Sequence, residues 1–79
     1  MLSLTEYFGL PFITPITPWR GTVRTQSGNL NLREYPSQQG RVAAQLPSGA
    51  VVTVYGQYGG WYSVGHQGQL GYAAASYIQ

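Results

Sequence analysis

The stretch Val51-Val52-Thr53-Val54-Tyr55-Gly56-Gln57-Tyr58-Gly59-Gly60-Trp61-Tyr62-Ser63-Val64 decides the fold. Val52 and Val54 alternate with Val51, Thr53 and Tyr55, the period of two that turns one face of a strand to a core and the other to solvent. Gly59-Gly60 then separates two segments of strand character, one ending near Tyr58 and one running from Trp61 to Val64. Glycine accepts φ > 0 without steric cost, as a two-residue hairpin turn requires. A hairpin follows, with Tyr62 and Val64 on one face of its second arm and Trp61 and Ser63 on the other. With Val64 in the core, Trp61 faces outward, and an outward indole beside a glycine turn marks a contact surface.

The same period continues on both sides. Leu30 and Leu32 alternate with Asn29, Asn31 and Arg33, and Val42, Ala44 and Leu46 alternate with Ala43 and Gln45. Between these segments lie the turn signals Ser27-Gly28, Pro36-Ser37, Pro47-Ser48-Gly49 and His66-Gln67-Gly68, the last inside a second expected hairpin. Ala73-Ala74-Ala75-Ser76 is long enough for a single 3₁₀ turn before Ile78 and too short for an α-helix. The pattern over residues 22–79 points to an all-β fold, a small barrel or sandwich of short strands with a single 3₁₀ turn near the C-terminus.

Residues 1–21 read differently. Prolines at 11, 15 and 18 fix φ and disfavour helix at the residues before them, which predicts an extended, proline-rich linker or strap. Upstream, Leu2 to Leu10 fits either a short turn or packing against an edge strand. Glu6 interrupts the first ten residues and no basic segment precedes an apolar run, so a signal peptide is not expected. The chain is read as part of a larger protein.

Composition narrows the function. Seventy-nine residues without a cysteine give one domain with a thin core and no disulfide or thiolate metal site. Eleven glycines, five prolines and seven tyrosines suit short strands and tight turns. The net charge is +2, and the four cations, Arg20, Arg24, Arg33 and Arg41, are spread along the chain rather than gathered into the basic stripe that nucleic acid needs. No stretch is apolar enough to insert in a membrane. One histidine, His66 in a turn, and two distant glutamates supply neither a zinc set nor a triad with Ser63 and Glu34. No catalysis, no cofactor and no metal is expected.

Six pieces stand in a recognisable order: Leu30-Asn31-Leu32-Arg33, Pro36-Ser37, Val42 to Leu46 with Pro47-Ser48-Gly49, Val51 to Val54, Gly60-Trp61-Tyr62-Ser63-Val64, and Gly71-Tyr72 with Ser76-Tyr77-Ile78. Together they resemble the bacterial SH3 domain family. The resemblance implies a small SH3-like barrel of five to six short antiparallel strands over residues 22–79, and a non-catalytic binding module that holds a larger envelope or extracellular protein against bacterial cell-wall peptidoglycan or its peptides; the isolated module is expected to be a monomer. The chain departs from the family pattern at Glu34-Tyr35, where a small Ser-Gly pair is common, and at Tyr72, where a tryptophan often follows the glycine.

A barrel this small has no interior cavity, so its ligand lies in a surface groove floored by aromatic side chains. The tail from Gly68 to Ile78 also resembles eukaryotic SH3 domains, with Ala74 in place of a common proline. That likeness implies that Trp61, Tyr72 and Tyr77 converge with Tyr35, while Ala73 and Ile78 face inward. Tyr72 and Tyr77 serve equally well as barrel-closing residues. Pro15-Ile16-Thr17-Pro18-Trp19-Arg20 has the Pro-x-x-Pro-x-Arg spacing of SH3 ligands. An alternative function follows: a protein interaction or assembly module, as in an envelope or phage-tail protein, that binds a proline-rich peptide such as residues 15–20. Pro15 and Pro18 would fill aromatic slots and Arg20 would lie near Glu34, the only acid of the module.

Overall fold

The computed structural model describes residues 14–79. Six strands follow one another: β1 Thr14–Thr22, β2 Leu30–Arg33, β3 Val42–Leu46, β4 Val51–Tyr58, β5 Trp61–His66 and β6 Gln69–Ala74, and a 3₁₀ turn at Ala75–Tyr77 comes after them. All pairings are antiparallel, in one sheet of order β1-β4-β5-β6-β2-β3. The hairpin read from the sequence is present as β4 and β5, with Tyr58 opposite Trp61. Gly59 sits at φ +54° in its turn, the left-handed region where a Cβ is costly. The 3₁₀ turn lies two residues later than Ala73 to Ser76, because Ala73 and Ala74 still pair with Tyr62 and Trp61.

Alternation builds the core. Leu30 and Leu32 from β2, Leu46 from β3, Val52 and Val54 from β4, Val64 from β5 and Ala73 from β6 are buried together with Val23 and Ile78. No polar or charged side chain is buried among the described residues. The end of β1 is joined to the C-terminal residues. Val23 and Ile78 form a bridge, and Thr22 and Gln79 exchange backbone hydrogen bonds at 2.8 and 3.0 Å. One close approach makes a glycine necessary: a Cβ on Gly71 would stand 2.7 Å from Cγ of Leu32 and 2.8 Å from the Arg33 carbonyl oxygen. A bare backbone on β6 therefore lets β2 pack against it.

Two bulges shift the expected pattern. In β3 the register runs Leu32 to Ala44 and then Arg33 to Val42, leaving Ala43 as the extra residue. The insertion flips the face, so Val42 is 42% exposed instead of sharing the core side with Leu46. In β4, Tyr55 is the extra residue between the Val54–Val64 and Gly56–Ser63 pairs.

β1 straddles the 21/22 division between the expected strap and the expected module. Its residues are extended, and they pair with β4 at the edge of the sheet. An edge position and an irregularity between Pro15 and Trp19 explain how this strand carries prolines: Pro18 falls where the register shifts and no ladder hydrogen bond is required of it. Trp19 then packs against the core, its ring edge-on to Tyr62 with centroids 5.7 Å apart and planes at 89°. Such a pair contributes roughly 0.5–1.5 kcal/mol beyond its buried area. The readings placed on Leu2 to Leu10, Glu6 and Pro11 lie outside the described residues.

Candidate functional site

The outer face of β5 and β6 carries Trp61 opposite Ala74 and Ser63 opposite Tyr72. Trp61 is half-buried, neither in the core nor free in solvent. Its ring lines an open trough of about 810 Å³ that is bounded on one side by β2 and by residues 24–27, and on the other by the 3₁₀ turn. Tyr77 from that turn lines the same trough, so the structure brings together two of the aromatic residues singled out in the sequence. The other proposed members lie elsewhere. Tyr72 stands opposite Arg33 and outside the lining, and Glu34 and Tyr35 are exposed on the loop between β2 and β3.

That loop folds back on itself, and its Glu34 and Tyr35 stay outside the trough. The Glu34 N–H donates to the Arg41 carbonyl at 2.8 Å, the Gly40 N–H to the Ser37 carbonyl at 2.9 Å, and Arg33 Nη1 to the Gly40 carbonyl at 2.8 Å. Pro36 is buried beneath it. Of its residues, Gln38 lines the trough.

Polar groups that the sequence reading did not single out complete the site. Asn29, Asn31 and Arg33 line it from β2 and the residue before it, and Arg24, Thr25 and Ser27 from the preceding loop. The signal for the first three was present: they are the outward members of the alternation whose inward members are Leu30 and Leu32. Gln45 on β3 orients the two asparagines, accepting from Asn29 Nδ2 and donating to Asn31 Oδ1, each at 3.4 Å. Thr25 is fixed by donating its hydroxyl to the Gly28 carbonyl at 2.8 Å. The Arg24 N–H donates to the Tyr77 carbonyl at 2.7 Å, which ties the loop to the turn that bears the phenol. Arg24 and Arg33, nine residues apart and read as dispersed charges, share this one surface.

The segment with the proline motif is placed away from it. Pro15 pairs with Gly56, Arg20 with Thr53, and no residue of β1 lines the trough. A second, smaller hollow on the face of β4, β5 and β6 is lined by Thr53, Tyr55, His66 and Leu70, the last 72% exposed. Tyr58, next to Trp61 across the hairpin, is exposed as well. Among the described residues no three His, Cys, Asp or Glu side chains gather in a way that would hold a metal ion, and no helix is long and apolar enough to cross a membrane.

Comparison with curated proteins and with solved structures returns no match. Scanned against models of known families, residues 28–79 match the one described as "Bacterial SH3 domain", which spans β2 to the end of the chain and well over half its length. The order of strands and this match lead to one conclusion: the chain belongs to the bacterial SH3 domain family.

Proposed function

We propose that the chain is a non-catalytic binding module that holds a larger envelope or extracellular protein on bacterial cell-wall peptidoglycan or its peptides, and that the trough between β2, β5 and the 3₁₀ turn is where it does so. The observation that carries this reading is the convergence of Trp61 and Tyr77 on one surface ringed by amides and hydroxyls. Aromatic faces stack on sugar rings or apolar side chains at small entropic cost, since each has only two torsions to fix. Asn29, Asn31, Thr25 and Ser27 supply donors and acceptors of the kind that glycans and peptide backbones present. The module binds as a monomer and needs no cofactor.

The charge of the trough argues against the proline-motif ligand. Arg20 of such a segment would enter a surface lined by two arginines and no acid, with Glu34 outside it. Like charges at close range disfavour that docking.

Co-sedimentation with purified peptidoglycan sacculi tests the proposal. The protein is expected in the pellet in a saturable manner, with a dissociation constant in the micromolar to millimolar range, about 4 to 8 kcal/mol of binding free energy. Protein that stays in the supernatant at all sacculus concentrations overturns it.

A further inference from the structure

The trough has a sign. Arg24 and Arg33 both line it, whereas Glu34 does not, so two of the chain's four cations face a surface without an acidic side chain among the described residues. Arg33 is part-buried and spends one of its donors on the Gly40 carbonyl, and a guanidinium has five. The backbone of Arg24 is pinned to Tyr77. A carboxylate would accept from either planar fork with the geometry that guanidinium favours.

We propose that the trough selects an acidic peptide, whose side-chain or terminal carboxylate engages Arg24 and Arg33 while its apolar part lies on Trp61 and Tyr77. This rests on the reading above for the location of the ligand only. A phosphate-bearing polymer or a single-stranded nucleic acid, which would also use cations beside aromatic faces, is the competing occupant. Peptide is favoured because the amides of Asn29 and Asn31, held by Gln45, match the donors and acceptors of a peptide backbone.

The test is an NMR titration of the full chain with four probes: acetyl-Ala-Glu-Ala as the free acid, acetyl-Ala-Gln-Ala as the amide, inorganic phosphate and a short thymidine oligomer. The acid is expected to shift the Trp61 indole and the side-chain N–H signals of Arg24 and Arg33, and to bind roughly tenfold or more tightly than the amide, as charged hydrogen bonds allow. Arg24→Gln should remove that preference, whereas Arg41→Gln, the same charge change at an exposed site outside the trough, should preserve it. Arg33→Lys, which keeps the charge and loses the planar fork, should also weaken the acid selectively, and it serves if Arg24→Gln loses its spectral dispersion. Equal affinity for acid and amide, or tighter binding of phosphate or the oligomer, overturns the inference. If sacculi sediment the protein while acid and amide bind alike, the wall reading stands and this one falls. If the acid is preferred and sacculi do not sediment the protein, the reverse holds.

Discussion

Leu32→Ala is expected to leave most of the chain unfolded at room temperature. Leu32 is fully buried in the core, and its Cγ would stand 2.7 Å from a Cβ on Gly71, so its side chain fills the seam between β2 and β6. Truncating a buried leucine costs about 2–5 kcal/mol, the spread reflecting how far the site collapses around the cavity. A domain of this size without disulfides has about 3–5 kcal/mol in total. Neighbours are poorly placed to refill the space, because β6 already lacks a side chain at the contact. Circular dichroism with urea titration should show a transition moved to the lowest denaturant concentrations or absent. A loss of less than about 1 kcal/mol would place Leu32 outside the core that this fold requires.

Trp61→Ala carries the largest expected effect on binding. Buried aromatic anchors at an interface cost about 2–4 kcal/mol when truncated, the equivalent of roughly thirtyfold to a thousandfold in affinity. Starting from a micromolar to millimolar constant, that loss takes sacculus binding below detection. Stability should change little by comparison. Trp61 is on the outer face between Tyr58 and Ala74, and its ring is absent from the core cluster. Loss of binding with an unchanged unfolding midpoint is the expected pair of results, and Trp61→Phe should retain part of the affinity. Wild-type binding by Trp61→Ala would remove the indole from the site.

These two residues also show what the sequence made legible. The inward position of Leu32 and the outward position of Trp61 both follow from a period of two, which depends on nothing but local backbone geometry. Where an extra residue enters a strand the period is broken without any mark in the composition, and so Val42 exchanged faces. The prolines of β1 gave the extended backbone correctly. Whether that backbone hangs free or pairs at an edge is decided by β4, far away in sequence, and by the packing of Trp19 on Tyr62. The site was legible to the same extent. Trp61 was singled out by alternation beside a glycine turn and Tyr77 by the likeness to eukaryotic SH3 domains, and both line the trough. Arg24 and Arg33 were not found as a pair, since their meeting depends on how the loop before β2 folds against the 3₁₀ turn through the Arg24–Tyr77 backbone bond. Tyr35 and Glu34 were placed in the groove by resemblance, and the hydrogen bond from Arg33 to Gly40 helps fold their loop back on itself.

Ligand binding is assigned above all to the trough that joins Trp61 to Tyr77. Chemical-shift mapping with soluble peptidoglycan fragments tests this most directly. Perturbations centred on Trp61, Tyr77, Asn31 and Arg24 are expected, with Tyr55, His66 and Leu70 of the second hollow unmoved. Perturbations centred on Tyr55, His66 and Leu70, with Trp61 and Tyr77 silent, would contradict it.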